Sequence, residues 1–516
     1  MFIKLEASEQ GGQIVTRCVL GIDVGTTSAK VIAFDKDGRV LLHKQQEYPT
    51  HFPDRGWAEQ DPRDWWRAVA TLLRQLRSSP TDPELHILAI GVSSQAPSFV
   101  PIDAEGEPIG RAMIWMDRRA DMEAEWLSAT LGADRIAEYS RNRADSYYTA
   151  AKVLWFKRNR PDEYARIHRI LQVNGYINYR LTGVCSTDDV HASISQLYDF
   201  RTGAWALDVL KELDIDPALL PPITPPDTVI GSITADIAEE LGLLPGIPVI
   251  AGTVDGAAAA IEAGIVRPGM ASEMTGTSSV LLMSSSGEYH SPELISMKHG
   301  LPGQNLLLGA MSSTGASLKW FRDTFYSDDE AAYDVMNHDA ERAEARGDLL
   351  FLPYMAGERS PIWDSNARGV FFGLSLKTSR GEMIRAIMEG AAFALRHNLD
   401  IMEQKGSRAE ALRIAGGSAG SALWNQIKAD ALNRELHIMQ TSGGAPLGVA
   451  ILAGLAIDFY SSAEVVVKKT LTMTTRVEPQ QAMHHFYNRK FPIYLDLYRQ
   501  TKEQFRDLSS ACVLRK

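Results

Sequence analysis

Two short glycine turns rich in hydroxyl groups occur in this sequence, Gly25-Thr26-Thr27-Ser28 and Gly276-Thr277-Ser278-Ser279. Glycine lets the backbone approach an oxyanion closely, and Thr and Ser add hydroxyl donors to their N–H groups. Lys30 can add positive charge beside the first turn. Either turn alone is typical of an ordinary hairpin, but the pair in corresponding contexts favours two related halves that bind one polyphosphate.

Asp23 lies just before the first turn, where a carboxylate cannot bind phosphate directly. A carboxylate in that place is consistent with a Mg²⁺ ion that bridges phosphate oxygens. A turn-capping carboxylate is the equally simple alternative. The chain contains no Gly-Lys dipeptide, which excludes a P-loop.

Asp255 is the candidate catalytic residue. It follows the short apolar strand predicted at Pro248 to Ala251 and precedes the small residues Gly256 to Ala260. An aspartate there could serve only as a helix N-cap. The functional alternative is a general base that takes the proton from a substrate hydroxyl, with the small side chains leaving room for a ligand.

A further glycine cluster, residues 416–421, lies between a predicted strand, Leu412 to Ala415, and a predicted helix, Ala422 to Leu432. Open α/β sheets bind nucleotides at such junctions. The spacing does not match the Gly-x-Gly-x-x-Gly dinucleotide fingerprint. A tight α/β connection without a ligand is the alternative.

The elements that would position these residues repeat along the chain. Strands are predicted at Cys18 to Val24, Lys30 to Phe34 and Val40 to Tyr48, followed by a helix from Asp61-Pro62 and a strand at Ile87 to Val92. The strands predicted at Met270 to Thr275 and Val280 to Met283 repeat the strand, turn, strand order. A later helix after Ser379 carries a capping box with Glu382. The aromatic residues of the tail from Val477 to Lys516 predict a helix that packs onto the protein body.

Composition limits the possible partners. The chain has 516 residues, 45% of them hydrophobic, and a formal net charge of −11, which argues against binding to nucleic acid or an anionic membrane. Cys18, Cys185 and Cys512 have no metal-ligand spacing, so neither a disulfide framework nor a zinc site is expected. A reducing cytoplasm fits this usage.

Several motifs resemble, in family order, those of the FGGY carbohydrate kinases. Residues 147–159 and 369–389 look like the two long family motifs. The shorter matches are Asp23 to Thr27, Gln95, Trp115-Met116-Asp117, Gly252 to Asp255, Gly276 to Ser278, Thr314 to Ser317, Leu352 to Tyr354, Gly357 to Arg359 and Gly416-Gly417. The resemblance extends from about Val19 to Tyr460.

The resemblance implies an α/β fold with two actin-like, ribonuclease-H-like ATPase domains and an inter-domain cleft for ATP and a sugar. It divides the chain into a sugar-binding domain at 18–262, an ATP-binding domain at 263–465 and a helical extension at 466–516. Asp255 would be the general base and Asp23 would lie at the Mg²⁺ ion. The residues expected to contact ATP are Gly25, Thr26, Thr27, Lys30, Gly276, Thr277, Gly315, Gly416, Gly417 and Ser421.

For the sugar, the resemblance suggests Gln95, Trp115, Asp117, Tyr147 and Asp255 as hydroxyl-binding residues, although Trp115 could equally be a core residue. Ketopentose kinases similar to this chain usually have Met-His-Gly after the Gln95 position, where this sequence has Ala96-Pro97-Ser98. We expect a ketopentose substrate such as xylulose, with gluconate, ribulose or glycerol as alternatives. An ATP-binding scaffold or a sugar sensor without kinase activity remains the alternative of another class, and a homodimer is possible.

Overall fold

The computed structural model describes residues 8–10, 13–77, 84–287, 291–326, 332–343, 348–404, 408–440 and 444–511. The chain forms two compact units that are interleaved in sequence. The first unit consists of Met1–Val266, Ser296–Leu306 and Thr441–Leu471. The second unit consists of Arg267–Ile295, Leu307–Gln440 and Thr472–Lys516.

The first unit contains a mixed sheet. In spatial order its strands are Val229–Ser232, Pro248–Ile250, Glu84–Ser94, Gln13–Val24, Ser28–Phe34 and Val40–Glu47, with Ser8–Gln10 paired to Gln13–Val24 and Thr253–Val254 paired to Glu84–Ser94. Glu84–Ser94 runs parallel to Gln13–Val24, to Pro248–Ile250 and to Thr253–Val254. Gln13–Val24, Ser28–Phe34 and Val40–Glu47 form an antiparallel meander. The strands predicted in this region are confirmed.

Helices cover both faces of this sheet. Every residue from Cys18 to Val24 is buried, as expected for a strand covered on two sides. On one face Leu20 and Ile22 share an apolar cluster with Trp65 of the helix Pro62–Arg74. On the other face Gly21 packs against Pro446 of the helix Ala445–Ala456.

The other helices of the first unit are short. They are Asp121–Leu131, Ala133–Ser140, Thr149–Asn159, Pro161–Tyr164, Val173–Thr182, Asp189–Ser193, Leu207–Glu212, Ala235–Leu241, Asp255–Glu262 and Ala463–Thr470, with 3₁₀ turns at Gln75–Arg77 and Pro217–Leu219. Small two-stranded pairings join Glu59–Gln60 to Ala112–Met113, Val100–Ile102 to Arg169–Leu171, Thr187–Asp188 to Ile223–Thr224, and Tyr198–Asp199 to Ala204–Trp205.

The second unit repeats the sheet arrangement of the first. Its strands, in spatial order, are Asn305–Met311, Ser279–Ser285, Ala271–Thr275, Ala411–Gly416, Glu435–Gln440 and Thr472–Val477. Two boundaries between the units fall within strands, after Ile295 in Ile295–Lys298 and after Leu306 in Asn305–Met311. Ala271–Thr275 is antiparallel to Ser279–Ser285 and parallel to Ala411–Gly416. The strand, turn, strand arrangement predicted for both halves is therefore confirmed.

The helices Arg380–Glu403 and Ala422–Leu432 pack on this second sheet. The other helices of this unit are Thr314–Phe325, Ala332–Arg342 and Gln481–Ala511, with a 3₁₀ turn at Gly417–Gly420 and an antiparallel pairing of Leu350–Leu352 with Val370–Phe372. The capping box predicted at Ser379 and Glu382 is formed. In the tail helix Gln481–Ala511, Tyr487, Tyr494 and Phe505 are buried in the apolar cluster of this unit, which confirms the predicted packing of the tail.

Two remaining features are the cysteines and the apolar character of the helices. Cys18 and Cys185 are free thiols, and Cys512 lies outside the described residues. Within the described ranges, no helix combines the length and apolar character needed to span a membrane.

Candidate active site

Asp23 and Asp255 of the first unit are brought near each other by neighbouring parallel strands. Asp23 lies beside Ser93 in the sheet, and Ser93 lies beside Thr253 on the other side. Parallel strands end at the same edge of a sheet, so the residues that follow them gather there. Gln95 and Asp255 each come directly after such a strand.

Asp255 begins the helix Asp255–Glu262, and Val254 occupies the capping position. The N-cap interpretation of Asp255 is therefore wrong. Its Oδ1 accepts a hydrogen bond of 2.6 Å from the N–H of Gly256. Burial, and then the charge of Asp23, raise the pKa of Asp255 from 3.8 to about 7. The side chain keeps partial solvent access, as a proton acceptor for a substrate requires.

The small residues after Asp255 have a packing role that the sequence did not suggest. Ala257, Ala258 and Ala260 are fully buried, whereas Gly256 and Ala259 are partly exposed, so room for a ligand lies at those two positions. A Cβ on Gly448 would lie 1.9 Å from the carbonyl oxygen of Ala258. Small side chains are required because the helices Asp255–Glu262 and Ala445–Ala456 are in backbone contact.

Asp23 is buried, and its Oδ1 accepts a hydrogen bond of 2.9 Å from the hydroxyl of Ser93. This bond crosses between strands, unlike the bond to the turn backbone that a turn cap would make. Burial raises the pKa of Asp23 to about 6, against the opposing effects of Ser93 and Lys30. A cation beside this carboxylate would offset the cost of its buried charge.

The first glycine turn is braced by side chains from three other segments. Gly25 N–H donates to Ser28 O at 3.1 Å, which closes the turn. The Tyr48 hydroxyl donates to Gly25 O. Gln60 Nε2 donates to Thr26 O at 2.7 Å, and Trp115 Nε1 donates to Thr26 Oγ1 at 2.9 Å. Thr27 is exposed and Lys30 is partly exposed, so both can reach a ligand.

A buried amide pair lies next to this turn. Gln95 Nε2 donates to Gln60 Oε1 at 2.6 Å, and Trp65 Nε1 donates to the same oxygen at 2.9 Å. Gln95 Oε1 is buried and has no hydrogen-bond partner among the described residues. Because an unsatisfied buried acceptor is costly, a ligand hydroxyl is the expected donor to Gln95.

Tyr147 is held near Gln95 by backbone contacts. Its hydroxyl donates to the carbonyl oxygen of Ala96 at 3.1 Å. The fully buried ammonium of Lys152 donates to Ser146 O at 2.8 Å and to Tyr147 O. Burial lowers the pKa of Lys152 to about 7. Tyr147 and Trp115 both remain partly exposed, so both can form the wall of a sugar site.

A separate cavity of about 470 Å³ lies in the second unit. It includes the predicted ATP residues Gly276, Thr277, Gly315, Gly417 and Ser421 in its lining. The remaining lining residues are Thr275, Ala316, Leu318, Lys319, Tyr333, Asp334, Met336, Asn337, Met388, Ser418, Gly420 and Trp424. Gly416 ends the strand beside Thr275, at the same edge of the sheet. A volume of this order suits a nucleotide-sized ligand.

Backbone hydrogen bonds hold the glycine segments of this cavity together, and one helix begins beside them. Gly276 N–H donates to Ser278 O at 2.8 Å and Ala316 N–H donates to Thr277 O at 2.8 Å. A Cβ on Gly315 would lie 1.9 Å from Gly276 O, so only glycine permits this approach. The helix Thr314–Phe325 begins here, and a helix N-terminus favours phosphate.

Comparison with known proteins identifies the same family as the sequence motifs do, over nearly the whole chain. Residues 18–262 match the N-terminal domain of the FGGY family of carbohydrate kinases, and residues 271–457 match its C-terminal domain. The chain belongs to the FGGY family. The two units of this FGGY kinase are accordingly its two actin-like ATPase domains.

Individual relatives extend the comparison. A xylulose kinase from Staphylococcus epidermidis is 29% identical over 500 residues, covering 96% of this chain and 99% of the relative. A glycerol kinase from Petrotoga mobilis is 31% identical over 469 residues, covering 87% of this chain and 92% of the relative. The crystal structure of a xylulose kinase from Rhodospirillum rubrum superposes with a TM-score of 0.90 at 28% identity, covering 95% of this chain and all of that one.

One predicted sugar residue of the FGGY kinase is fully engaged elsewhere. The carboxylate of Asp117 is buried and accepts hydrogen bonds from Arg119 through both oxygens and from Ala58 N–H at 2.7 Å. Arg119 stacks over the ring of Trp57 at 3.6 Å. The structure therefore places Asp117 in an ion pair that holds the loop after Trp115.

Several residues that support the two sites were not predicted from the sequence. Gln60 and Tyr48 brace the first glycine turn. In the second unit, Lys428 is buried, and its ammonium donates to Glu273 Oε2 at 2.8 Å, to Ser418 Oγ at 2.9 Å and to Thr275 Oγ1 at 3.2 Å. A charged residue within the helix predicted at Ala422 to Leu432 was the available signal, but Glu273 and Thr275 lie in a strand about 150 residues earlier in the chain.

Proposed function

We propose that this FGGY kinase transfers the γ-phosphoryl group of ATP to a hydroxyl of xylulose to form xylulose 5-phosphate. The observation that carries the proposed chemistry is Asp255, a partly accessible carboxylate whose pKa is raised to about 7 beside Asp23. A general base acts best when its pKa lies near the working pH. The name of the Staphylococcus epidermidis relative supports xylulose as the acceptor.

In the proposed reaction, the attacking hydroxyl oxygen forms a bond to the γ-phosphorus while the bond from that phosphorus to the bridging oxygen of ADP breaks. Asp255 accepts the hydroxyl proton, which gives the oxygen the electron pair for the new bond. Gln95 Oε1 accepts a hydrogen bond from a second sugar hydroxyl. Tyr147 and Trp115 supply an aromatic wall against which a sugar ring or chain can lie.

The residues present fit a Mg²⁺ ion. Mg²⁺ is commonly bound by one or two carboxylates together with waters and substrate phosphates, and Asp23 offers one buried carboxylate. No group of three or more His, Cys, Asp or Glu side chains suited to a metal occurs in the described part of the chain. When bound, the ion would neutralise charge that develops on the phosphate oxygens. Asp23 would hold it, with the hydroxyls of Thr26 and Thr27 beside the phosphates.

The cavity of the second unit is proposed to bind ATP. Thr277 and Gly315 would donate backbone N–H groups to the phosphates, and Gly276, whose N–H closes its own turn, would allow their close approach, as expected where two glycine-rich segments meet. Gly417 and Ser421 would lie against the adenosine. We also propose a cytoplasmic location, because the reaction requires ATP. A homodimer is a further proposal.

The test is release of ADP by the purified full-length protein with ATP and Mg²⁺, measured separately with xylulose, ribulose, gluconate and glycerol. We expect xylulose to give the highest kcat/KM and ³¹P NMR to identify a phosphate monoester at a terminal carbon. A preference for glycerol, consistent with the Petrotoga mobilis relative, would refute xylulose as the substrate. It would leave the proposed phosphoryl transfer from ATP to a hydroxyl group unchanged. Sugar binding by calorimetry without any phosphorylated product would refute the kinase proposal in favour of a sensor.

A further inference from the structure

A buried hydrogen-bond network lies beside the strand ends of the candidate active site. Its members belong to the first unit and are called here the His191 network: Ser94, Asn174, Asp188 and His191. All of these side chains are fully buried, so none of them can contact a substrate directly. None of the proposed reaction steps uses these polar groups.

Ser94 connects the His191 network to the functional residues. In the sheet it lies between Val24 and Val254 on the neighbouring strands. The residues that follow these three positions are Gly25, Gln95 and Asp255. Ser94 therefore lies one residue before the first glycine turn, the proposed sugar-binding amide and the proposed base, and a displacement of Ser94 would displace all three.

The imidazole of His191 holds the Ser94 hydroxyl in one orientation. Nδ1 of His191 lies 2.6 Å from Oδ2 of Asp188, and Nε2 lies 3.2 Å from Oγ of Ser94. A carboxylate only accepts hydrogen bonds, so Nδ1 carries the proton and Nε2 of the neutral ring is an acceptor. The Ser94 hydroxyl then donates to Nε2, and its oxygen accepts the N–H of Asn174 at 3.0 Å.

Asp188 extends the His191 network to the segment that leads to Asp255. Its Oδ1 accepts the backbone N–H of His191 at 2.9 Å, and its Oδ2 accepts Nδ2 of Asn174 at 2.9 Å. Nδ2 of Asn174 also donates to the carbonyl oxygen of Ala251 at 3.1 Å. The network therefore holds both the strand end before Gln95 and the segment before Asp255.

The proposed chemistry makes the placement of these strand ends important. Phosphoryl transfer depends on the position of the attacking hydroxyl, and a displacement of about 1 Å can cost a factor of about 10² in rate. Gln95 Oε1 has no hydrogen-bond partner among the described residues, so no protein contact described there fixes this oxygen. The backbone of Gln95 is fixed by its N–H, which donates to Val24 O at 3.0 Å, and by the preceding Ser94.

We propose that His191 is a positioning residue of the kinase reaction, which acts through the Ser94 hydroxyl to fix the strand ends that carry Gln95 and Asp255. This inference rests on the proposed function. Without the ring nitrogen as acceptor, the buried Ser94 hydroxyl would either turn toward another acceptor or stay unsatisfied. Either change would displace the strand end and with it the groups that bind and deprotonate the acceptor substrate.

The test compares H191N with H191Q by ADP release from the full-length protein with ATP, Mg²⁺ and the acceptor that the wild-type protein prefers. The amide of asparagine reaches the position of Nδ1 and can still bind Asp188, whereas the amide of glutamine reaches the position of Nε2 and still offers Ser94 an acceptor. We expect H191N to lower kcat/KM for the acceptor at least about tenfold, and H191Q to stay within about threefold of the wild-type value. Affinity for ADP, measured by calorimetry, should be unchanged, because the proposed ATP cavity belongs to the second unit.

The variant S94A separates positioning from a general loss of packing, because it removes only the hydroxyl that His191 orients. We expect S94A to lower kcat/KM about as much as H191N does. The double variant S94A/H191N should lose no more than S94A alone, because both side chains act through one bond. Losses that multiply in the double variant would overturn the proposal, and S94A supplies the measurement if H191N is too unstable to purify.

His299 offers a matched control, since it is a second buried histidine of the same unit. Its Nε2 lies 2.9 Å from the carbonyl oxygen of Ile265, and its Nδ1 accepts Leu301 N–H at 2.9 Å. H299N should lower the free energy of unfolding in urea, as H191N does, and should keep the wild-type kcat/KM.

Two kinds of failure can be told apart. Equal losses of kcat/KM in H191N and H299N, equal losses in H191N and H191Q, or a value for H191N within about threefold of the wild-type value would overturn this inference alone, because wild-type turnover would still support the proposed function. Absence of a phosphorylated product from the wild-type protein with every acceptor named above would overturn the proposed function and this inference with it.

Discussion

Replacement of Asp255 by Asn should remove catalysis while increasing stability. Asn can still accept the hydrogen bond from Gly256 N–H, but it cannot accept a proton from a substrate. General base catalysis contributes about 10² to 10⁴ in rate. We therefore expect kcat to fall by a factor of about 10² to 10⁴, or roughly 3 to 5 kcal/mol of activation free energy.

The sign of the stability change follows from the direction of the pKa shift. The pKa of Asp255 is raised from 3.8 to about 7 in the folded protein, so between these values the folded state binds more protons than the unfolded state. Stability then falls as pH rises through this window. Asn carries no charge, so D255N should unfold at a higher temperature than the wild-type protein at pH 8, with the difference disappearing below about pH 4.

The pH profile of activity gives an independent measurement. Wild-type kcat/KM should rise about tenfold per pH unit below pH 7 and level off above it, because Asp255 must be ionised to act as a base. The residual activity of D255N should lack this dependence. Coupled ADP release measures both profiles, and calorimetry with ADP checks that nucleotide binding is retained.

Asp189 offers a matched control in the same unit. It also begins a helix, Asp189–Ser193, and its pKa is raised to about 7, first by burial and then by a neighbouring aspartate, Asp188. D189N should therefore gain stability at pH 8 as D255N does, while keeping its kinase activity. If D255N retains kcat within tenfold of the wild-type value, or if D189N loses as much activity, the assignment of Asp255 as the base is refuted.

Three further variants test the sites. Gly315→Ala should raise the KM for ATP at least about tenfold, because the new Cβ would lie 1.9 Å from Gly276 O; an unchanged KM would show that the turn tolerates displacement. Lys428→Met should lower the free energy of unfolding in urea by about 3 to 5 kcal/mol, because Glu273 would stay buried without its partner; a smaller loss would indicate that water reaches the pair. Asp117→Asn should lower the melting temperature and leave the KM for the sugar unchanged, whereas a rise in that KM without loss of stability would place Asp117 at the substrate.

Much of the local structure could be predicted from the sequence. Asp61-Pro62 identified the start of a helix, and the helix Pro62–Arg74 is capped by Asp61 and buries one face that includes Trp65, Val69 and Leu72. Ser379 and Glu382 identified a helix start that is formed. These features depend on neighbours within one or two turns of the chain, which the sequence displays directly.

The partition of the chain into units depended on distant segments. The helix Ala445–Ala456 lies late in the sequence but packs on the sheet of the first unit, against Gly21 and beside the helix that begins at Asp255. Its composition indicates only that it is buried, because an apolar helix can cover any apolar face. The complementary surface exists only once the strands of the first unit have assembled.

The residue types and order of the glycine turns, Asp23, Gln95 and Asp255 were determined by the sequence alone, and together with the resemblance to the FGGY carbohydrate kinases they predicted a nucleotide-dependent kinase. The chemistry of these groups was decided by the tertiary structure. It raises the pKa of Asp255 beside Asp23, places Ala58 N–H against the carboxylate of Asp117, and leaves Gln95 Oε1 without a donor among the residues that the structure describes. Desolvation, charge and hydrogen bonding act through space, so they depend on side chains that the sequence separates by up to several hundred residues and only folding brings together.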